Sequence, residues 1–232
     1  MFITTKNLSK SYKTGDVLTP ALKNASLSLG KGEIGVILGP SGSGKSTLMN
    51  ILGGIDRADG GKAVVDGEDV TQLDDDALTE YRRVKIGFIF QSYNLIPHLT
   101  ALENIEVIEN ISKSPLNISE VLEAVGLADK KDRFPRGLSG GEQQRVAIAR
   151  AIVKNPALLL CDELTGALDF ENAIEALALI QNVNKKFGTT VLIITHNNAI
   201  SAMANRVYKL RSGEITESYA NDSPIGAGGI VW

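Results

Sequence analysis

The stretch GPSGSGKST, residues 39–47, sets Gly39, Gly44, Lys45 and Ser46 at the spacing of a phosphate-binding loop. The apolar run EIGVIL precedes it and STLMNIL follows, which is the strand, loop and helix setting the motif requires. Glycine lets backbone curl close to phosphate oxygens. The loop from Gly39 through Ser41, Gly42, Ser43 and Gly44 to Thr47 is therefore expected to turn successive N–H groups inward, where the helix start adds a partial positive field. Lys45 is placed to bridge the β and γ phosphates of a nucleotide, and the Ser46 hydroxyl to ligate the Mg²⁺ that offsets their charge. A glycine-rich turn without a ligand leaves the full spacing unexplained. Such a loop also serves kinases, so the reaction must be read elsewhere.

The run LLLCDE carries Asp162 and Glu163 to the end of an expected central strand, and ligands of open α/β sheets gather beyond such carboxyl ends. Asp162 can hold Mg²⁺ through water. Glu163, on the other side of the strand, can act as general base on a water in line with the γ phosphate. Two acids after a strand also make an ordinary solvated turn, and the phosphate loop upstream is what favours the chemical reading. His196 ends LIITH, from where it can contact the γ phosphate or fix the attacking water; Gln91 ends IGFIFQ and can offer an amide oxygen to Mg²⁺ or that water. This is the equipment of an ATPase.

A second anion-binding feature lies at GLSGGEQQRVAIAR, residues 137–150. Ser139 and Glu142 form an S-x-x-E capping box, which by itself marks only a well-capped helix. Gly140 and Gly141 go further, because each weakens a first helical turn by about 1 kcal/mol relative to alanine. Something must approach their backbone closely, and a nucleotide phosphate is the expected visitor.

These residues need a scaffold. EIGVIL (33–38), ALLLC (157–161) and TVLIIT (190–195) are apolar on both faces, as buried parallel strands are. Helical patterns run from Ser139 to Lys154 and from about Asn172 to Phe187, so the fold class is α/β, a P-loop core with a mostly parallel sheet. The alternation in ASLSLGKGE and the Asp66-Gly67 turn in KAVVDGEDV predict an N-terminal antiparallel β lobe. TALENIEVIENI and ISEVLEAVGL predict an inserted helical subdomain. The expected organisation is one domain over residues 1–220, with core and lobe at 1–91 and 156–220 and the helical subdomain at 92–155. Residues 221–232, NDSPIGAGGIVW, read as a flexible tail with an apolar tip.

The 232-residue chain is long enough to bury a large core, and its net charge of −3, with basic residues dispersed apart from clusters such as Arg82, Arg83 and Lys85, offers no polyanion-binding surface. Nucleic acid is not an expected partner. Cys161 lies within an apolar run, as a buried inert thiol does, and fits a reducing cytosol. No apolar stretch reaches the roughly 18 residues that span a bilayer, and MFITTKNLSKSYKT is too polar for a secretory signal. The chain is expected to be soluble alone and to reach a membrane only through a partner.

GPSGSGKST, LSGGEQQR, LLLCDE and ITH, in their places along the chain, resemble the nucleotide-binding subunit of ABC transporters over nearly the whole length. The resemblance implies ATP as substrate and a head-to-tail dimer with a second copy, in which residues 138–142 of one copy close over the ATP held by the phosphate loop of the other. It implies that Tyr12, in LSKSYK, stacks on adenine. It implies further that Gln91 and SYNLIPHLTALENI sense Mg²⁺ and border a permease's docking groove, and that ALD, 167–169, links the two sites. Leu164 follows Glu163 where the family usually has proline, which restores a backbone donor and frees φ.

Within the family, YRRVKIGFIFQSYNLIPHLTALENIE and CDELTGALD resemble the MacB, LolD and FtsE group, whose FtsX-like permeases put the ATPase at the cytoplasmic face of the membrane. Antibiotic or peptide export, lipoprotein extraction and cell-envelope signalling all stay open. The alternative is a soluble ABC-type ATPase acting on DNA or ribosomes. It fits less well, because no sustained heptads separate Lys45 from Leu138 and no tandem second P-loop is present.

Overall fold

A computed structural model describes residues 1–166 and 168–231. The chain begins with strands β1 (Ile3–Thr14), β2 (Val17–Leu29) and β3 (Ile34–Leu38), helix α1 (Lys45–Leu52), strands β4 (Gly60–Val65) and β5 (Glu68–Asp69), helix α2 (Asp75–Lys85) and strand β6 (Ile86–Ile89). Helices α3 (Ala101–Glu109), α4 (Ile118–Ala124) and α5 (Gly140–Ile152) follow. The chain closes with β7 (Leu158–Asp162), α6 (Phe170–Phe187), β8 (Thr190–Thr195) and the hairpin of β9 (Arg206–Arg211) and β10 (Glu214–Ala220).

One sheet runs in the order β10-β9-β3-β8-β7-β6, parallel from β9 to β6 with β10 antiparallel at its edge. Its middle strands are apolar on both faces because both faces are covered. Val36, Leu159, Cys161, Val191 and Ile193 pack in the core that includes α3 to α6, while Ile37, Leu158, Leu160, Leu192 and Ile194 pack against α1, α2 and the lobe. Cys161 is a free thiol inside this core, and burial pushes its pKa up.

The lobe is an antiparallel sheet in the order β2-β1-β4-β5. Asp66 and Gly67 make the expected hairpin between β4 and β5, both with positive φ (50° and 79°), as the tight turn between right-twisted strands needs.

Helix α2 carries no sequence prediction, because only Leu78 and Tyr81 of it are buried and the apolar stripe is too thin to read. Charge shapes it: Asp74 caps it, Asp75 and Asp76 sit in its first turn, and Arg82, Arg83 and Lys85 occupy its last, complementing the helix dipole. The expectation of a flexible tail is corrected for residues 221–231. Ile225 N and the Asn221 side chain both donate to the Ala202 carbonyl, and the Gln181 amide brackets Ile225 O and Ala227 N. Ala227 and Ile230 are buried in the main core, so two small apolar contacts overrule a composition that reads as loose. Trp232, the expected apolar tip, lies outside the described residues.

Candidate functional site

Four neighbouring parallel strands, β3, β8, β7 and β6, each hand one chemical group to the same end of the sheet. The phosphate loop leaves β3, His196 follows β8, Asp162 ends β7 with Glu163 next to it, and Gln91 stands two residues past β6. They converge on one cleft of about 800 Å³, lined by Tyr12, Ser41, Gly42, Gly44, Lys45, Ser46 and Thr47 on one side and Gln91, Asp162, Glu163 and His196 on the other.

Gly44 is the corner of the loop. Its φ of 104° suits glycine, and a Cβ there would stand 2.3 Å from the Ala21 carbonyl oxygen. The α1 ladder begins with Leu48 N donating to Gly44 O, so the amides of Lys45, Ser46 and Thr47 precede it, and no side chain caps the helix. Gly39 and Ser43 play a different part from the loop's lip. Their amides donate to Thr195 O and Pro40 O, and neither residue lines the cleft. The buried Ser43 hydroxyl has no partner among the described residues.

The Lys45 ammonium donates to the carbonyls of Gly39 (2.8 Å) and Pro40 (3.0 Å) and lies 3.9 Å from Glu163 Oε1. The Ser46 hydroxyl reaches Asp162 Oδ2 at 3.5 Å. Burial, and then the neighbouring Glu163 charge, hold the Asp162 carboxyl above the usual carboxylate range, against the Ser46 hydrogen bond and Lys45. Ser46 and Asp162 are hard oxygen donors, and one or two such groups completed by phosphate oxygens are what Mg²⁺ takes.

Glu163 has partners of its own. Its Oε2 meets His196 Nδ1 at 2.9 Å and accepts from Thr195 Oγ1 at 3.4 Å. A carboxylate can only accept, so Nδ1 carries the hydrogen in this pair. Glu163 adopts a φ of 46°, uncommon outside glycine, while Leu164 is buried in the core. The Gln91 amide lies against Gly166, 3.0 Å from where a Cβ on that residue would stand. An acid held between a histidine and a lysine, at the open end of a phosphate cradle, can activate water against a bound phosphoryl group.

The start of α5 is elsewhere: none of Ser139, Gly140, Gly141 and Glu142 lines the cleft. Ser139 Oγ accepts from Glu142 N at 3.3 Å, Glu142 Oε2 accepts from Ser139 N at 2.7 Å, and Lys130 pairs with Glu142 Oε1. Lys130, and then the Ser139 amide, hold the Glu142 carboxyl below its usual range. Within the chain itself the glycine pair also has close neighbours. What approaches Gly141 is the side chain of Asn172, whose Oδ1 stands 2.2 Å from the position of a Cβ; the Tyr93 hydroxyl stands 3.2 Å from that of Gly140. Asn172 is held by both oxygens of Asp169, the cap of α6. Of ALD, Ala167 lies outside the described residues.

Sequence reasoning missed Asn172, and it missed Lys10 and Asp56, which grip Tyr12. Asp56 lies 44 residues from Tyr12, and no local pattern connects them.

The ABC transporter family profile matches residues 22–166. The ABC transporter ATP-binding protein MJ0796 of Methanocaldococcus jannaschii is 43% identical over 219 residues, covering 90% of this chain and 93% of that protein. Its solved dimer, a post-hydrolysis state of the ATP-binding cassette bound to ADP and Pi, aligns with a TM-score of 0.85 at 40% identity, over 94% of this chain and 98% of that one. The macrolide export ATP-binding/permease protein MacB of Escherichia coli K12 is 45% identical over 219 residues, 92% of this chain and 34% of that protein. This chain spans about half the length of two mycoplasma relatives that it also matches. With the profile covering more than half of its residues and one relative similar along nearly its full length, the chain belongs to the ABC transporter family.

Proposed function

We propose that this chain is an ATPase, the ATP-binding and ATP-hydrolysing subunit of a membrane ABC transporter or force-transmitting complex. It works as a head-to-tail pair with a second copy and drives a transmembrane permease of the FtsX-like kind; the similar macrolide export protein MacB, an ATP-binding protein and permease in one, supports a permease partner by analogy. Among the described residues no helix is long and apolar enough to cross a membrane, and the proposed place of the chain is the cytoplasmic face of the permease. The proposed domain runs over 1–220, with 92–155 as the helical part.

The observation that carries the reading is the convergence of Lys45, Ser46, Asp162, Glu163 and His196 on one cleft. ATP lies with its base against Tyr12 and its phosphates along the loop, where the first amides of α1 and Lys45 receive them. Ser46, Asp162 and Gln91 would hold Mg²⁺, which would relieve the negative charge of the phosphates. Glu163 takes the proton of a water whose oxygen bonds to the γ phosphorus as the bond to the bridging oxygen breaks, releasing ADP and phosphate. His196 holds Glu163 in place. Ser139, Gly140, Gly141 and Glu142 serve the ATP of the other copy, so closing the pair completes both centres.

The test is phosphate release by the purified chain with ATP and Mg²⁺, followed over protein concentration, beside a gentle pull-down from membranes. Activity per chain that rises with concentration, and capture of an FtsX-like permease, support the reading. Absence of Mg²⁺-dependent hydrolysis at every concentration, or capture of DNA or ribosomes, overturns it.

A further inference from the structure

An exposed aromatic ring is a poor platform when it turns freely, since stacking must then stop the rotation. Tyr12 is 40% exposed, yet it is tied down. Its hydroxyl donates to Asp56 Oδ2 at 2.6 Å and lies 3.4 Å from Thr47 Oγ1. The other Asp56 oxygen accepts from Lys10 Nζ (2.9 Å) and Arg57 N (2.7 Å). Lys10 also donates to Arg57 O at 2.8 Å, and its ammonium sits 5.2 Å from the centre of the Tyr12 ring. Ser11 N donates to Asp59 Oδ2 at 2.6 Å.

Residues 10–12 of β1 are thus bonded to the segment 56–59, which follows the helix that starts in the phosphate loop. We infer that Asp56 is a positioning residue that fixes the Tyr12 ring at a set distance from the phosphate cradle, with Lys10 on one face so that the base takes the other. The inference rests on the reading of Tyr12 as the base platform. Protonation suits it: burial works against the Asp56 charge, but hydrogen bonds from Tyr12 and Lys10 outweigh it and hold the carboxyl low. Burial and then Asp56 raise the phenol, so it remains a donor.

The test compares binding of ATP and of inorganic tripolyphosphate, which has no base, by calorimetry on the full chain. Asp56→Ala and Tyr12→Phe each weaken ATP binding about five- to tenfold, the scale of one ordinary hydrogen bond, and leave tripolyphosphate binding as in the parent. The double variant loses no more than either single one, and in hydrolysis the change falls on KM. Asp56→Asn, which keeps an acceptor for the hydroxyl, loses less than Asp56→Ala. Equal weakening of ATP and tripolyphosphate, additive losses, or unchanged ATP binding in Asp56→Ala overturns the inference. Tyr12→Ala separates the two levels. If it leaves ATP binding intact, the platform reading itself is wrong; if it weakens ATP while Asp56→Ala does not, only the anchor is wrong.

Discussion

Two helix starts, both announced by glycine and serine, are built in opposite ways. The start of α1 has no side-chain cap and opens on the cleft, so its first-turn amides are left for a ligand. The start of α5 is closed by the Ser139 and Glu142 box, braced by Lys130 and packed by Asn172, and it does not line the chain's own cleft. The first is a site as it stands. On the proposed reading, the second is a closed surface whose ligand arrives with the other copy, which would account for one chain carrying two such features.

That contrast is most sharply tested at the shared chemistry. Glu163→Gln should keep ATP binding and cut turnover by about 10²- to 10⁴-fold, the usual weight of a general base, while a nucleotide-bound dimer accumulates in size-exclusion chromatography. Parent-level turnover would remove Glu163 from that role. Next come the two helix starts themselves. Lys45→Ala should weaken ATP binding by the isolated chain about tenfold or more, since a charge-assisted contact is lost, whereas Ser139→Arg should leave it nearly intact and block dimer closure. Equal losses in equilibrium binding would return the serine to its own chain's site.

Smaller effects sharpen why α5 is rigid. Gly141→Ala drives a methyl into the Asn172 carbonyl and should cost about 1–3 kcal/mol in denaturant unfolding, partly relieved when Asn172→Ala is added. Simple additivity would mean that the two residues do not meet. Beyond the other end of the helix, Lys154 donates to the Arg82 carbonyl, and burial lowers its pKa to about 8. The unfolded chain keeps that proton up to an ordinary lysine pKa, so it binds more protons than the folded chain above pH 8. Stability should therefore rise by about 1 kcal/mol from pH 7 to pH 9, and Lys154→Met should flatten the rise in melting temperature.

What was legible in the sequence was local. The strands that became β3, β7 and β8 showed in their own composition, Ser139 and Glu142 in a four-residue box, and Asp66-Gly67 in a two-residue turn. What failed to show depends on distant partners. Asn172 packs against Gly141 from another helix, the tail docks because Ala227 and Ile230 find the core, and β9 and β10 form an edge hairpin in which β10 is mostly exposed and so carries little apolar signal. Gln91 could be named from its place near a strand end, but the Tyr12 anchor spans 44 residues and has no sequence signature.

The central claim is that each centre takes its phosphate cradle from one copy and its α5 start from the other, and mixing two damaged chains tests it most directly. Lys45→Ala and Ser139→Arg, each inactive alone, should regain ATP hydrolysis when combined, up to about a quarter of the parent rate at equal amounts, because random pairing mixes half of the pairs and each mixed pair holds one intact centre. A mixture no faster than the sum of its two inactive parents would place both elements in the same chain and contradict the account.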